Sequence, residues 1–73
     1  MTLAENIKEA RKARGMSQDE LAEMVNVHQT YISQVERGVS NLTIAMLERI
    51  ADVLDCSIDG LLEREKFIIR KDF

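Results

Sequence analysis

The sequence predicts an all-α fold, a compact domain of five helices, and three observations favour it. The 73 residues include no proline and only three glycines, a composition that helices tolerate and β-sandwiches rarely show. Apolar residues recur at helical spacing in successive segments. Hydrophobic residues make up 45% of the chain, which is enough for a packed core and argues against disorder. The length fits one small domain.

The first predicted helix carries Leu3, Ile7 and Ala10 at positions i, i+4 and i+7, so the three side chains form one apolar stripe. Charged residues occupy its other faces. Gly15 follows Arg14 at the predicted end of the helix, where glycine readily adopts the conformation that closes many helices.

The second predicted helix begins at a capping box, with Ser17 as N-cap and Glu20 three residues later as its acidic partner. The helix is short, and its apolar residues are Leu21, Ala22 and Val25. Asn26 is the predicted turn residue after it, because asparagine tolerates a positive φ better than most residues other than glycine.

The third predicted helix spans His28 to Arg37 and ends at Gly38, with Ile32 and Val35 as its inward positions. Two short helices joined by such a turn form a supersecondary unit that presents its second helix outward. The predicted helix-turn-helix motif therefore covers about residues 18–37.

The fourth predicted helix runs from Leu42 to Leu54, with Ser40 and Asn41 as candidate caps. Its predicted apolar stripe comprises Ile44, Leu47, Ala51 and Leu54, with Ile50 at the edge of the stripe. This stripe is expected to complete the core.

The fifth predicted helix is short, is capped by Ser57 and carries Ile58, Leu61 and Leu62. Gly60 weakens it by about 1 kcal/mol relative to alanine. We expect residues 1–63 to form the domain and residues 64–73 to form an apolar tail, either a short strand or a helical extension. These segments leave apolar area exposed, so the predicted homodimer surface comprises Ile58, Leu61, Phe67, Ile68, Ile69 and Phe73.

The net charge of −3 argues mildly against a nucleic-acid partner, but the acidic residues are unevenly distributed along the chain. Between Met24 and Leu47 the only carboxylate is Glu36. A polyanion can approach a segment nearly free of negative charge, although chance in a short window is the alternative interpretation.

The outward face of the third predicted helix is also unusual. Glutamate and lysine dominate the outward face of most soluble helices, whereas this face carries His28, Gln29, Thr30, Ser33 and Gln34. Base edges in the major groove of DNA present donors, acceptors and the thymine methyl group, which such side chains can contact. The face therefore predicts a helix that contacts DNA bases.

Catalysis, a metal centre and a cofactor are not predicted. His28 is the only histidine and Cys56 the only cysteine, so a metal-ligand cluster is not expected. Ser33 has no accompanying base, and Cys56 is expected to be a structural thiol. The lone cysteine favours a cytoplasmic protein. Because the chain starts with a polar segment, we expect no signal peptide. No apolar run has the length that a membrane span needs.

A string of residues across the predicted helices matches one family pattern: Ile7, Arg11, Arg14, Gly15, Ser17-Gln18-x-Glu20-Leu21-Ala22, Val27, Tyr31-Ile32-Ser33-x-Val35-Glu36-Arg37-Gly38, Ile44, Leu47, Ile50-Ala51 and Leu61-Leu62. By these residues the chain resembles the lambda-repressor-like helix-turn-helix family, also called the Cro, phage-repressor or XRE type. The resemblance runs from Ile7 to Leu62, about three quarters of the chain.

The resemblance implies a DNA site. In relatives, the residue that matches Gln18 bonds a DNA phosphate and often touches the one that matches Gln29. Base edges are approached by the positions that match Gln29, Thr30, Ser33 and Gln34, and the phosphate backbone by those that match Arg37, Asn41 and Thr43. The remaining predicted DNA-binding residues are Ser17, His28 and Tyr31, the last either a packing residue at the core edge or a phosphate contact.

The resemblance also implies a salt bridge between Arg11 and Glu36, which would turn the one carboxylate of the acid-free segment inward. Asn26 and Leu42 depart from the family pattern, since many relatives have glycine and proline there. Part of the chain is similar to controller proteins of restriction–modification systems, although Gln34 and the tail do not clearly belong to that subgroup.

The predicted function is sequence-specific binding of double-stranded DNA by a homodimeric transcriptional regulator on a pseudo-palindromic operator. One recognition helix contacts few base pairs, and a two-fold dimer doubles the contacts. The alternative is an antitoxin or another protein-interaction module that binds a partner protein as well as DNA. Neither a small-molecule ligand nor a membrane partner is predicted.

Overall fold

The computed structural model describes residues 2–62 and confirms the all-α prediction. Its helices are α1 (Leu3–Ala13), α2 (Gln18–Val25), α3 (Gln29–Glu36) and α4 (Ile44–Val53). A fifth helical segment, α5, covers residues 58–62 at the end of the described part of the chain. The predicted tail over residues 64–73 lies outside the described residues.

Two capping boxes start the first two helices. The predicted box is present at α2, where Ser17 Oγ accepts from the Glu20 backbone N–H at 3.0 Å and Glu20 Oε1 accepts from the Ser17 N–H at 2.8 Å. Sequence analysis missed an equivalent box at α1, formed by Thr2 and Glu5. There the backbone N–H of Thr2 donates to the Glu5 carboxylate and lowers the pKa of that group. Reciprocal bonds of this kind satisfy amide groups that a helix start leaves without partners.

The predicted start of the fourth helix is wrong. Ser40 and Asn41 do not cap it; α4 begins at Ile44, and its N-cap is Thr43, whose hydroxyl accepts from the Met46 N–H at 3.1 Å. A threonine oxygen directly before the first turn can reach the third amide of the helix, which a residue two or three positions earlier cannot. The cap therefore sits two to three residues later than expected.

The predicted core position of Ile44 is also wrong, because its side chain is 66% exposed. The buried stripe of the α4 region begins one turn later and comprises Leu47, Ile50, Ala51 and Leu54. Ile44 is the first residue of the helix, before the turn that packs into the core.

The core lies where α2 packs against both α3 and α4, and α1 closes it by packing against α3. Its fully buried apolar side chains include one from each packed element: Ile7, Leu21, Ile32 and Ile50. Leu21 and Ile32 belong to the predicted motif and pack its inward side against the core, so α3 presents its opposite face to solvent. Burial of such side chains is the main stabilising term of a domain this small.

A buried amide joins α1 to α5. Asn6 is fully buried, and its Nδ2 donates to the Leu61 carbonyl oxygen at 2.5 Å. Leu61 itself is only 2% exposed, so its predicted place in a homodimer surface is wrong, because its side chain is already covered within one chain. Ile58 is half-buried and packs against the core. The other predicted dimer residues, Phe67, Ile68, Ile69 and Phe73, lie outside the described residues.

Within residues 2–62, no helix has both the length and the hydropathy of a membrane span.

Candidate nucleic-acid interface

The turn between α2 and α3 has the geometry that sequence analysis predicted. Asn26 is in the left-handed region, with φ 63° and ψ 49°, and ends α2. The Val27 N–H donates back to the Ala22 carbonyl at 2.9 Å, which closes the helix. The chain then extends for one residue, His28, before α3 begins.

Arg49 supports this turn from α4, a role that sequence analysis missed. Its Nη2 donates to the Val25 carbonyl oxygen at 2.6 Å, at the C-terminus of α2. Helix C-termini carry unpaired carbonyl groups, and a cation there is favourable. Nothing in the sequence singles out Arg49, since an arginine on the polar side of a helix is usually solvated.

The outward face of α3 is polar and exposed, as its residue types suggested. Gln29, Thr30 and Gln34 are exposed, and Ser33 is half-buried. On the inward side of the same helix, Ile32 and Val35 are buried, so they hold α3 against the core. His28 is exposed at the helix start and makes no side-chain capping bond. The structure therefore brings the candidate base-contacting residues onto one accessible surface.

The acidic residue of this helix is turned away from that surface. Glu36 has a side chain only 1% exposed and forms an ion pair with Arg11 of α1, with Nε and Oε2 2.6 Å apart. A second guanidinium nitrogen, Nη2, donates to Oε1 at 3.1 Å, and the third, Nη1, donates to the Met16 carbonyl at 2.7 Å. A bidentate pair whose third guanidinium nitrogen also has a partner is a favourable way to bury two charges.

Glu36 also bonds to α2, and the bonding continues to the exposed face of α3. Gln18 Nε2 donates to Glu36 Oε1 at 3.0 Å. Gln29 Nε2 then donates to Gln18 Oε1 at 2.7 Å. The result is a chain of polar contacts, Arg11–Glu36–Gln18–Gln29, which we call the polar relay. It runs from the buried ion pair to the first residue of α3.

The candidate phosphate contacts surround this face, and several of them also have structural roles. The Tyr31 side chain is half-buried, and its hydroxyl donates to the Asn41 carbonyl at 3.4 Å. Arg37 and Asn41 are exposed beyond the end of α3. The hydroxyl groups of Ser17 and Thr43 accept from backbone amides as helix caps, and each retains its O–H to donate to another partner.

Residues 2–62 contain no group of three or more histidine, cysteine or carboxylate side chains that could hold a metal ion. Cys56 is half-buried, and its Sγ lies 3.4 Å from the Leu54 carbonyl oxygen.

Comparison with known proteins places this surface in context. Residues 7–61 match the sequence profile of a family described as Helix-turn-helix, HTH_3. The chain is 41% identical over 63 residues to control protein C.SmaI of Serratia marcescens, covering 86% of this chain and 75% of that protein. It is 39% identical over 64 residues to the HTH-type transcriptional regulator SinR of Bacillus subtilis, covering 86% of this chain and 58% of SinR. The chain thus spans little more than half the length of SinR.

The chain is also similar to solved structures of proteins bound to DNA. SinR in complex with DNA superimposes with a TM-score of 0.77 at 39% identity, covering 82% of this chain and 97% of that one. The P22 c2 repressor in complex with a synthetic operator gives a TM-score of 0.79 at 33% identity, covering 86% of this chain and 96% of that one. SinR is also known in a complex with the SinI protein, with a TM-score of 0.80 at 38% identity, covering 88% of this chain and 63% of that one.

Proposed function

The chain belongs to the helix-turn-helix family HTH_3, and from this premise we propose that it regulates transcription as a homodimer bound to a pseudo-palindromic operator. The profile match over residues 7–61 confirms the resemblance noted in the sequence. Its relatives include transcriptional regulators, one of them in complex with DNA, and a repressor in complex with an operator.

The observation that carries the proposal is the uncharged outward face of α3. Glu36, the only carboxylate between residues 24 and 47, is buried in an ion pair with Arg11 and so does not repel a phosphate backbone. The side chains left on the outside are short or medium donors and acceptors. Such a face complements base edges in the major groove, where an α-helix fits.

We assign the outward residues to two tasks. Base edges are contacted by Gln29, Thr30, Ser33 and Gln34, which lie on the outward face of α3. Phosphates are contacted by Ser17, Gln18, Arg37, Asn41 and Thr43, with His28 and Tyr31 beside them. Phosphate contacts set the position of the protein on the duplex, whereas base contacts determine the sequence that it selects.

A homodimer is part of the proposal, because one α3 contacts too few base pairs for a specific site. A two-fold pair places two recognition helices about one helical turn of DNA apart. Selection of binding sites from randomised duplex DNA tests both points. We expect an enriched inverted repeat with half-sites about 10 base pairs apart. A single half-site, together with a monomer in sedimentation at high micromolar concentration, would rule out the dimer.

Two substitutions should separate the two tasks. Gln29→Ala should weaken binding to the selected site by about 1–3 kcal/mol and leave non-specific binding almost unchanged. Arg37→Ala should weaken both, and should lower the slope of log K against log salt by about 0.9 for one lost phosphate contact. Fluorescence anisotropy on selected and scrambled duplexes, each at several salt concentrations, measures both quantities.

Equal losses on the two duplexes for Gln29→Ala would contradict its assignment to a base. An unchanged salt slope for Arg37→Ala would contradict its assignment to a phosphate.

A second candidate function is binding of a partner protein in addition to DNA. It is favoured by one observation, that SinR is known in a complex with the SinI protein. Affinity purification of the chain from its native cells, with the bound proteins identified by mass spectrometry, tests it. A stoichiometric partner that displaces the selected duplex would support this function, and recovery of the chain alone would count against it.

A further inference from the structure

A groove with carboxylates at its edge lies between α4 and α5, and none of its lining residues is among the proposed DNA contacts. Its volume is about 390 Å³, and its lining includes Glu48 and Asp52 of α4 and Ile58 of α5. We propose that this groove, which we call the α4–α5 groove, binds segment 66–71 of a second copy of the chain, and that the homodimer forms by exchange of these segments. The inference rests on the proposed function, since it names the surface through which that homodimer forms.

The α4–α5 groove combines apolar surface with charge. Ala45, Glu48 and Asp52 are exposed and lie at positions i, i+3 and i+7 of α4, so they share one face of the helix. Cys56 and Ile58 are half-buried and form the opposite side of the groove. A ligand that is both apolar and cationic complements such a surface.

The carboxylates of this region have no cationic partner of their own within residues 2–62. Glu48 and Asp52 at the groove, and the exposed Asp59 beside it, belong to neither ion pair of that part of the chain. Arg49 also lines the groove, but its Nη2 donates to the Val25 carbonyl oxygen at 2.6 Å. The groove therefore keeps an excess of negative charge, which a basic segment would neutralise.

Segment 66–71 has the complementary composition. It reads Lys-Phe-Ile-Ile-Arg-Lys, with three basic residues, three apolar residues and no carboxylate. Its apolar side chains suit the half-buried side of the groove, and its cations suit the carboxylates of α4. Binding would remove apolar area from water and pair opposite charges in one contact.

The chain continues in a direction that favours a second copy as the source of this segment. The α4–α5 groove lies at the N-terminal end of α5, where Cys56 and Ile58 line it, whereas the chain leaves α5 after its C-terminal end. To enter its own groove, segment 66–71 would have to reverse direction within residues 63–65. These are Glu63, Arg64 and Glu65, none of which is a residue type that favours a tight turn.

Exchange between two copies makes both contacts identical. In a two-fold dimer, each copy supplies one groove and one segment, so a single favourable contact is made twice. Because the groove residues are not among the proposed DNA contacts, the dimer can form through them while α3 of each copy faces DNA.

Two charge reversals of the full chain test the exchange. The groove variant, Glu48→Lys with Asp52→Lys, makes the α4–α5 groove basic. The tail variant, Arg70→Glu with Lys71→Glu, makes the segment acidic. Glu48 and Asp52 are exposed on α4, so their reversal leaves the core intact.

A control variant, Glu9→Lys with Glu23→Lys, has the same net charge as the groove variant, because it also reverses two exposed carboxylates. Circular dichroism checks that every variant keeps the helical content of the wild type. Glu48→Gln with Asp52→Asn removes the groove charges without reversing them, and replaces the groove variant should that one not fold.

Sedimentation equilibrium at about 0.1 M salt measures the dimer dissociation constant of each protein and of equimolar mixtures. We expect the groove variant and the tail variant each to raise that constant by about tenfold or more, because attractive charge contacts in both exchanged segments become repulsive. The uncharged groove variant should raise it by a smaller factor.

The mixture is the decisive measurement. The groove variant mixed with the tail variant should associate about as tightly as the wild type, since a basic segment then meets an acidic groove and an acidic segment meets a basic groove. The control variant should dimerise like the wild type, and should remain a homodimer when it is mixed with the tail variant.

The remaining outcomes contradict the exchange in distinguishable ways. Wild-type dissociation constants for the groove and tail variants would overturn the inference and leave the proposed homodimer intact. Weakened variants that do not associate when mixed would overturn it, as would equal association of the tail variant with the groove variant and with the control. A wild type that stays monomeric at high micromolar concentration would contradict the proposed homodimer itself.

Discussion

Arg11→Met is expected to lower the free energy of unfolding by about 3–5 kcal/mol, because it leaves the Glu36 carboxylate buried without its cation. The same change removes the donor from the Met16 carbonyl, which accepts from Arg11 at 2.7 Å. A domain of this length is expected to have a total stability of about 4–11 kcal/mol, so the loss is a large part of it. Urea denaturation followed by circular dichroism measures the change.

Arg14→Met is the matched control, since Arg14 forms the other ion pair among the described residues, with Asp55 at 3.6 Å. That pair is exposed, with side chains 46% and 84% accessible, so its loss should cost less than about 1 kcal/mol. Similar losses in the two variants would mean that burial does not set the value of the Arg11 pair. Replacing Arg11 and Glu36 together by apolar residues should recover much of the stability, because no uncompensated charge is then buried.

Ile50→Ala is expected to destabilise the domain by about 2–5 kcal/mol, whereas Ile44→Ala should change its stability by less than about 0.5 kcal/mol. Both residues belong to α4, and the substitution is the same. Ile50 is fully buried in the core, so truncation leaves a cavity, while Ile44 is 66% exposed. Thermal and urea unfolding of the two variants give the comparison directly.

The two alanine variants distinguish the core assignment that the sequence pattern makes from the burial that the structure shows. The apolar period of the fourth helix assigns both isoleucines to the core or its edge, while the structure buries only one. A loss of several kcal/mol for Ile44→Ala would mean that another part of the molecule covers this residue. Equal small losses would mean that the site of Ile50 collapses without leaving a cavity.

Much of the fold was predictable because its signals are local. A serine followed by glutamate three residues later specifies the start of α2, and Asn26 marks the left-handed turn after it. The spacing of Ile32 and Val35 orients α3. These signals act within one or two helical turns, so the residues that carry them are neighbours in the chain. The residue types on the outward face of α3 likewise identified the candidate site.

Prediction from local signals failed at the start of α4. Ser40, Asn41 and Thr43 are all residue types that cap helices, and their chemistry alone does not choose among them. The packing of the helix determines which of the three residues caps it, because Thr43 is the residue whose hydroxyl faces the first turn. The burial of Leu61 was missed for a related reason, because the residue type fits a core and a dimer surface equally well.

The sequence by itself therefore determined the order of the helices within residues 2–62, the turn of the motif and the uncharged face of α3. The tertiary structure alone decided that other distant polar groups meet: Arg49 with Val25, Asn6 with Leu61, and Gln18 with Glu36. The physical reason is that a hydrogen bond requires donor and acceptor within about 3 Å, and only folding brings groups 18 to 55 residues apart to that distance.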